Sequence, residues 1–293
     1  MTGIIIKAIA GFYYVKAGNT VYECKARGIL KRHGISPLPG DYVEFSTVGA
    51  QNGIIEAVQE RKNAFKRPTV ANVDKMFIVS SFSTPVPNTY LIDLMTVISL
   101  SKGIEPIIVF NKCDMGDFGE YESIYKNASF KVYTVSATEK LGLDQLYDEF
   151  DGSVCVFTGN SGVGKSSLLN ALFDGWSLAT GDVSQKLGRG RHTTREVQLF
   201  EYGEKGYVID TPGFSAIELK MGEGLDTFNL QNCFCEFKKY NGGCRFIGCS
   251  HTVENGCSII EAVNDGLIAK SRFESYCMIY NELKALEDNK FKN

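Results

Sequence analysis

The chain has 293 residues and a formal net charge of −3, from 31 basic and 34 acidic side chains. At 44% hydrophobic and 22% charged, its composition is that of a globular protein with room for about two domains, which argues against a disordered chain or a wholly basic nucleic-acid coat. The apolar runs have the length of strands and the nine cysteines are odd in number, so we expect a cytoplasmic protein with no secretory signal, no transmembrane helix and reduced thiols.

The pattern over residues 1–66 predicts short strands in a small β-barrel. Strand-like segments lie at Ile4–Ala8, Gly11–Val15, Thr20–Lys25 and Tyr42–Phe45, and turn signals lie at Gly18-Asn19, Pro37–Gly40 and Asn52-Gly53. An OB-like barrel fits a segment of this length, and barrels of that class commonly bind oligonucleotides.

The charge distribution favours the same region as a surface for RNA. Residues 1–70 carry ten Lys and Arg against five Asp and Glu, whereas the rest of the chain carries 21 against 29. Such an asymmetry is typical of a polyanion-binding module, although random surface variation also produces it. Eight of these ten basic residues are the candidates for contact with RNA: Lys25, Arg27, Lys31, Arg32, Arg61, Lys62, Lys66 and Arg67. The aromatic residues Phe12, Tyr13, Tyr14, Tyr22 and Phe65 are either stacking partners for bases or barrel core.

Residues 67–218 alternate between strand-like and helix-like patterns. The strand candidates are Met76–Ser80, Ile107–Phe110, Lys131–Val135, Val154–Thr158, Val197–Tyr202 and Tyr207–Asp210. Helical patterns lie near residues 88–102 and 142–150, and another begins at Lys165. This alternation predicts a mostly parallel α/β sheet.

A phosphate-binding motif, G-x-x-x-x-G-K-S, lies between a predicted strand and a predicted helix. It consists of Gly159, Asn160, Ser161, Gly162, Val163, Gly164, Lys165 and Ser166, and Ser167 follows it. The glycines let backbone N–H groups crowd the phosphates at a helix N-terminus. We expect Lys165 to reach the β- and γ-phosphates and Ser166 to ligate Mg²⁺.

A second phosphate-side motif, D-x-x-G, ends the last predicted strand at Asp210 and Gly213. The Asp210 carboxylate is expected to hold Mg²⁺ through water, and the Gly213 N–H to sense the γ-phosphate. Alone, this pattern is weak evidence for a nucleotide site. Its position after a phosphate-binding loop makes it strong evidence.

A base-recognition motif, N-K-x-D, follows another strand at Asn111, Lys112, Cys113 and Asp114. A carboxylate at Asp114 accepts from both the N1–H and the 2-amino group of guanine, and hydrogen bonds to a charged group contribute about 1.5–3 kcal/mol each. This motif therefore predicts selection of GTP over ATP. Ser136 and Ala137, at the end of the next strand, are expected to add a backbone N–H to the base oxygen.

A Cys- and His-containing segment precedes a helical C-terminus within residues 219–293. Three thiols and one imidazole lie within 14 residues, a ligand set that suits tetrahedral Zn²⁺: Cys244, Cys249, His251 and Cys257. Four protein ligands leave no open position for a reacting water, so we expect one structural Zn²⁺ and not a zinc hydrolase. On spacing alone, Cys233 and Cys235 are rival ligands.

The order of the GTPase motifs is permuted. The usual order begins with the phosphate-binding loop, but here residues 111–114 and 136–137 precede it, and residues 210–213 follow it. With this order, the chain resembles the ribosome small-subunit-dependent GTPase A family over nearly its whole length. The stretch Leu187–Arg195 is similar to the switch I segment of that family, and the Cys/His set is similar to its zinc site.

The resemblance implies a three-domain architecture: an OB-like barrel over residues 1–66, a circularly permuted GTPase domain over 67–218 and a zinc-binding helical domain over 219–293. It implies hydrolysis of GTP to GDP and phosphate, stimulated by the small ribosomal subunit during its late maturation, with rRNA as a partner. It also implies that the later four Cys and His residues are the zinc ligands. No membrane partner is expected, and we expect a monomer.

The resemblance also bears on catalysis, because Phe214 stands where many GTPases place a water-orienting Gln. A hydrophobic side chain cannot orient water, so His192 is the candidate for that role, as it is in the family; contact with RNA is its alternative role. Thr194, with Thr193 as second choice, is the expected switch I ligand of Mg²⁺.

Two other functions are consistent with parts of the sequence. In the first, the protein is a GTP-dependent binding switch whose output is docking on RNA or the ribosome, and hydrolysis only resets it. In the second, the phosphate-binding loop serves an ATP-dependent small-molecule kinase. The guanine-specific pattern at residues 111–114 argues against the kinase.

Overall fold

The computed structural model describes residues 1–66, 68–82, 86–173, 197–202, 206–210 and 225–290. These residues divide into two compact units. The first contains the described residues of Met1–Met76, Asp144–Phe157 and Ala179–Phe214, and the second contains those of Phe77–Leu143, Thr158–Leu178 and Ser215–Asn293. The three domain boundaries expected from the sequence stay a prediction.

Five strands and one short helix form a small barrel in the first unit. They are β1 (Thr2–Ile9), β2 (Phe12–Ala17), β3 (Thr20–Ala26), α1 (Gly28–Arg32), β4 (Tyr42–Thr47) and β5 (Asn52–Val58). The strands pair in the order β1-β2-β3-β5-β4, and β1 also pairs with β4 to close the barrel. The OB-like barrel expected for this region is confirmed.

The barrel core is built from side chains that alternate inward along the strands, as half-buried strands require. Ile5, Val15, Val43, Phe45 and Ile55 are all buried in one cluster. Tyr13 and Tyr22 pack against this cluster, and Phe65 is buried as well. These three aromatic residues therefore serve packing rather than base stacking.

The turn predicted at Asn52-Gly53 is wrong, because these two residues begin β5. Gly53 lies opposite Cys24 of β3, and a Cβ atom at residue 53 would lie 2.8 Å from the Cys24 sulfur. The glycine therefore permits close strand packing. The turn itself precedes β5 and contains Gly49, whose φ is +79°.

The rest of the first unit extends the strand network. It contains the hairpin of β6 (Ala64–Lys66) and β7 (Thr69–Ala71) and helix α4 (Asp144–Tyr147). It also contains strands β12 (Gln198–Tyr202) and β13 (Gly206–Asp210), and the part of β11 (Val154–Thr158) that ends at Phe157. β11 runs parallel to β13, and β13 pairs antiparallel with β12. β12 also pairs with β1 of the barrel, where Lys7 lies opposite Gln198.

The second unit contains the parallel strands that position the nucleotide motifs. It holds the part of β8 (Lys75–Ser81) that begins at Phe77. It also holds α2 (Thr89–Ser101), β9 (Glu105–Asn111), α3 (Gly119–Asn127), β10 (Lys131–Val135) and α5 (Lys165–Leu172). β9 pairs in parallel with β10 and lies beside β8. Asn88 precedes helix α2, and its side chain accepts a hydrogen bond from the Leu91 N–H, as a helix N-cap does.

The C-terminal segment of the second unit is helical. Two 3-10 turns at Leu230–Cys233 and Cys235–Lys239 precede α6 (Ser258–Asn264) and α7 (Lys270–Lys290). The aromatic rings of Phe234, Phe237 and Tyr276 pack together as its core. Across the described ranges, no helix has both the length and the apolar character needed to cross a membrane.

Candidate nucleotide-binding and metal sites

The phosphate-binding loop runs from the end of β11 to the start of α5. Gly159 has φ +142°, and a Cβ atom there would lie 2.1 Å from the Val79 carbonyl oxygen of β8. Only glycine therefore allows the loop to leave the strand this close to β8. Ser166 and Ser167 lie half-buried in the first turn of α5, where unpaired N–H groups favour an anion.

Lys165 lies folded over this loop. Its Nζ donates to the carbonyl oxygens of Gly159 and Asn160 at 2.7 and 2.8 Å. Burial lowers the pKa of Lys165 to about 8, because a desolvated ammonium group loses its hydration. A phosphate anion beside it offsets that cost, so the structure places a cation in need of a negative partner at the loop.

Asn111 joins three of the predicted segments. Its side chain is buried at the end of β9, where its Nδ2 donates to the Val163 carbonyl oxygen at 3.0 Å. Its Oδ1 accepts from the Ala137 N–H at 3.1 Å. Gly164 has φ +92°, and a Cβ atom there would lie 2.4 Å from the Asn111 Nδ2. One amide side chain thus links the N-K-C-D segment, the Ser-Ala segment and the phosphate-binding loop.

The other residues expected to bind the base are Lys112, Cys113 and Asp114, which follow Asn111, and Ser136 at the end of the neighbouring strand. Lys112 has φ +65°, and its Nζ donates to the Gly162 carbonyl oxygen at 2.9 Å. Asp114 lies on an exposed 3-10 turn, with its carboxylate open to solvent. Burial and the nearby Asp114 raise the pKa of the Cys113 thiol. Ser136 is buried, and its Oγ accepts from the Glu139 N–H.

Several predicted site residues lie outside the described part of the chain: His192, Thr193, Thr194, Gly213 and Phe214. The backbone of Asp210 ends β13 as expected, and its side chain lies outside the description. Of the three predicted Mg²⁺ ligands, the structure therefore describes the side chain of Ser166 alone.

Four ligand atoms of the Cys/His segment converge on one point. The nearest ligand atoms of Cys244, Cys249, His251 and Cys257 all lie within 4.8 Å of one another. The Cys244 and Cys257 sulfurs are 3.8 Å apart, and the His251 Nδ1 lies 3.5 and 3.3 Å from them. A tetrahedral zinc site with ordinary bond lengths has edges of about 3.8 Å between sulfurs and about 3.5 Å between nitrogen and sulfur. The residues present therefore fit Zn²⁺.

Outer contacts fix the orientation of these ligands, and sequence reasoning missed them. The His251 Nε2 lies 3.0 Å from the Gln231 Oε1, so the Nδ1 that faces the sulfurs has the lone pair a metal needs. The Ser258 hydroxyl lies 3.2 Å from the Cys244 sulfur. Gln231 carries no local signal, because it lies 20 residues before His251.

Glu254 braces the loop that carries His251. Its carboxylate accepts from the Ser250 N–H and hydroxyl at 2.7 and 2.6 Å, and from the Thr252 N–H at 3.0 Å. These hydrogen bonds outweigh desolvation and lower the pKa of Glu254 to about 2. Glu254 is therefore an ionised loop-closing group rather than a fifth ligand.

The chain matches the family model described as RsgA GTPase over residues 58–220, and the model described as RsgA N-terminal domain over residues 2–55. The chain belongs to the RsgA GTPase family. It is thus a GTP hydrolase of that family, and the resemblance stated from its motifs is confirmed. A GTPase of this family uses GTP, GDP and Mg²⁺.

Curated RsgA relatives are similar to this chain over almost their full length. It is 43% identical over 288 residues to the small ribosomal subunit biogenesis GTPase RsgA of Geobacillus sp. strain WCH70, covering 96% of this chain and 97% of the relative. It is 40% identical over 294 residues to the protein of the same name from Caldanaerobacter subterraneus subsp. tengcongensis, covering 99% and 98%.

Solved structures of RsgA relatives have the same fold. YjeQ from Thermotoga maritima superposes with a TM-score of 0.82 at 31% identity, covering 96% of this chain and 98% of that chain. YloQ, described as a circularly permuted GTPase, gives a TM-score of 0.81 at 31% identity, covering 97% and 95%. The permuted architecture expected from motif order is confirmed.

Proposed function

We propose that this chain hydrolyses GTP to GDP and phosphate in a reaction stimulated by the small ribosomal subunit, and acts in the late maturation of that subunit. The observation that carries the proposal is Asn111, whose amide binds both the phosphate-binding loop and the segment at Ala137. That arrangement gives one nucleotide a phosphate site and a guanine site. The names of the relatives point to the ribosomal role.

Each side of the nucleotide has its own group of residues. Gly159 to Ser167 hold the phosphates through backbone N–H groups, and Lys165 supplies the cation. Asn111, Lys112, Cys113 and Asp114 hold the guanine, with Asp114 as the acceptor that selects it. Ser136 and Ala137 support the base from the neighbouring strand.

Mg²⁺, when bound, stabilises negative charge on the phosphate oxygens. Ser166, Thr194 and Asp210 would hold it, Asp210 through water. His192 orients the attacking water or takes its proton, because a neutral imidazole can accept a proton near pH 7. If His192→Ala left subunit-stimulated turnover undiminished, His192 would have no part in the reaction.

The Cys244, Cys249, His251 and Cys257 cluster holds one structural Zn²⁺ in this proposal. The ligand spacing and the outer contacts of Gln231 and Ser258 support a closed tetrahedral site. Such an ion contributes folding energy and supplies no open position for chemistry.

The proposed rRNA contact lies on the barrel, whose basic residues include some in ion pairs and others that are exposed. Arg61 is engaged by the buried Asp41 at 2.7 Å, and Lys62 by Asp74 at 2.8 Å. By contrast, four basic residues along β3, α1 and the junction between them are exposed: Lys25, Arg27, Lys31 and Arg32. The Lys25 Nζ lies 5.0 Å from the centre of the Phe12 ring, which puts an aromatic face beside this group. These residues fit phosphate groups with a neighbouring base.

The deciding experiment measures GTP hydrolysis with and without purified small ribosomal subunits, with ATP as the control nucleotide. Strong, GTP-selective stimulation is the expected result. No stimulation with tight GTP binding retained would contradict the ribosomal role and leave a guanine-nucleotide switch with another partner. A protein that docks on subunits in the GTP form, without faster turnover, would instead support the switch function.

A further inference from the structure

A buried ionic cluster joins α2 to the C-terminal segment, and the nucleotide chemistry does not use it. Arg272 of α7 is fully buried, and its guanidinium donates from Nη1 to the Asp93 Oδ1 of α2 at 2.7 Å. It also makes a two-pronged contact to Glu236, from Nε to Oε1 at 2.8 Å and from Nη2 to Oε2 at 3.1 Å. The guanidinium lies 4.6 Å from the centre of the Phe234 ring.

Burying these charged groups costs desolvation free energy, so the cluster's presence in the core calls for an explanation. Two carboxylates share one guanidinium in a buried region, where desolvation raises the pKa of Asp93 and the charge of Arg272 opposes that rise. The Asp93 Oδ2 is buried with no hydrogen-bond partner among the described residues. Hydrophobic residues of similar volume are often as stable as a buried ion pair, so a role in geometry explains the cluster better than a role in stability.

The opposite face of α2 contacts the end of the strand that leads into the phosphate-binding loop. The Thr158 hydroxyl, one residue before the loop, donates to the Met95 sulfur at 3.7 Å. A small cleft lies beside this contact. Three side chains of α2 and three loop residues line it: Leu91, Ile92 and Met95, and Gly159, Asn160 and Val163.

Asp93 and Met95 therefore lie on opposite faces of the same helix, and each contacts a different neighbour. Residues 92–99 of α2 are all buried, so the helix cannot shift without disturbing both neighbours. A second contact also links α2 to α7: the Tyr90 hydroxyl donates to the Glu282 Oε1 at 2.8 Å. The described contacts therefore run from α7 through α2 to the strand end that leads into the phosphate-binding loop.

We propose that Asp93 is a positioning residue for the nucleotide: its ion pair with Arg272 fixes α2 to the C-terminal segment, and α2 holds the phosphate-binding loop. This inference rests on the proposed function, because it assigns regulation to the same nucleotide site. It makes the C-terminal segment a regulator of nucleotide release through α2. A partner that pulls on α7 would change how long the nucleotide stays bound.

The test compares two variants that each remove one carboxylate charge from the same guanidinium. Asp93→Asn weakens the link to α2 and leaves the Arg272–Glu236 pair intact. Glu236→Gln weakens only the pair within the C-terminal segment and leaves the link to α2 intact. In both variants one carboxylate still balances Arg272, so both are expected to fold. Unchanged zinc content and similar melting temperatures verify this.

The readout is the release rate of a fluorescent guanine nucleotide, mant-GDP, from the full chain. Mutations along a coupling route change the coupling by about 2- to 30-fold, and we expect release from Asp93→Asn to accelerate within that range. Release from Glu236→Gln is expected to stay near the wild-type rate. Hydrogen exchange of the peptide covering residues 159–172 is expected to accelerate only in Asp93→Asn. A merely structural role for Asp93 would not produce this local difference.

Equal release rates for Asp93→Asn and wild type, or an equal acceleration in both variants, would overturn the positioning role. If Asp93→Asn does not fold, Arg272→Lys replaces it, because one ammonium group keeps the charge but cannot span both carboxylates. Wild-type release rates from Arg272→Lys would likewise overturn the proposal. A wild-type chain that bound mant-GDP no better than mant-ADP would instead contradict the proposed function itself.

Discussion

The nucleotide site and the Cys/His cluster differ in how the chain builds them. The nucleotide site draws on residues 111–114, 136–137 and 159–167, which are distant in sequence and which Asn111 joins by direct hydrogen bonds. The cluster draws all of its ligands from residues 244–257. One site depends on the fold of a whole domain, and the other on a single loop.

The two sites also differ in what holds them together. In the nucleotide site, Lys112 and Lys165 donate to backbone carbonyl oxygens of the loop, so protein groups alone maintain its shape. In the cluster, three sulfurs and an imidazole nitrogen face one another, and sulfur forms only weak hydrogen bonds. A metal ion is the group that brings such atoms together strongly. Damage to the cluster should therefore impair folding, and damage to the nucleotide site should impair binding.

The largest effect is expected from Cys257→Ser in the cluster. Structural zinc contributes about 10–16 kcal/mol of apparent binding free energy in small zinc fingers, and this sets an upper bound for the C-terminal segment. We expect the zinc content to fall from one ion per chain to near zero and the segment to unfold. Elemental analysis of the purified chain and thermal unfolding would measure both effects.

Cys235→Ser is the matched control for that experiment. Cys235 lies in the same segment but outside the cluster, so its loss should leave the zinc content unchanged. A chain that kept its zinc after Cys257→Ser and lost it after Cys235→Ser would reverse the assignment of ligands.

The next largest effect is expected from Lys165→Ala in the nucleotide site. Hydrogen bonds to charged groups contribute about 1.5–3 kcal/mol each, so loss of contacts to two phosphates predicts affinity for GTP lower by about 100-fold or more. The melting temperature should change little, because the lysine is costly to bury without an anion. Calorimetric titration with GTP would measure the affinity, and Lys131→Ala, at an exposed pair with Glu105, is the control. An affinity for GTP equal to wild type would exclude Lys165 from the site.

A smaller and more selective effect is expected from Asp114→Asn. The change removes the charge that accepts from guanine, so affinity for GTP should fall about 10- to 100-fold, and a 2-oxo purine nucleotide should bind better than in wild type. Competition between GTP and xanthosine triphosphate would measure this change in preference. Asp117→Asn is the control, because Asp117 is exposed and, among the described residues, its carboxylate accepts only a local hydrogen bond, from the Gly119 N–H. An unaltered base preference in Asp114→Asn would contradict its role.

The contrast between the sites explains what sequence could predict. Residues 131–135 and 154–158 were predicted as strands with the bounds they have in the structure. Residues 154–158 are a buried and mainly apolar run, and residues 131–135 are a mostly half-buried run rich in Val, Tyr and Thr. The grouping of Cys244, Cys249, His251 and Cys257 was also predicted, although spacing alone left Cys233 and Cys235 as rivals and the family resemblance decided between them. Asn52-Gly53 was misinterpreted because a glycine needed for close strand packing has the same sequence signal as one needed for a turn.

Contacts between distant segments had no such signal. Arg272 and Asp93 are 179 residues apart, and nothing in the sequence around either residue indicates that they pair. Gln231 at His251 is a similar case. In both, the fold brings together side chains whose local sequence is ordinary, and burial then makes their pairing obligatory.

The smallest expected effect is the pH dependence of nucleotide binding, which tests whether the nucleotide site is preformed around a buried cation. Burial lowers the pKa of Lys165 to about 8 in the absence of an anion, and bound phosphate raises it again. Binding above pH 8 therefore takes up a proton, so affinity for GDP should be constant below pH 7 and fall by up to about tenfold per pH unit above pH 8. Calorimetry between pH 6.5 and 9 in buffers of different ionisation enthalpy would measure affinity and proton uptake together. A flat profile, with no proton uptake at pH 8.5, would show that Lys165 keeps its ordinary pKa and that the loop opens to solvent before nucleotide binds. The Cys/His cluster offers the contrasting case, because its thiols release protons when they bind a metal, so its affinity should rise over the same range in which affinity for the nucleotide falls.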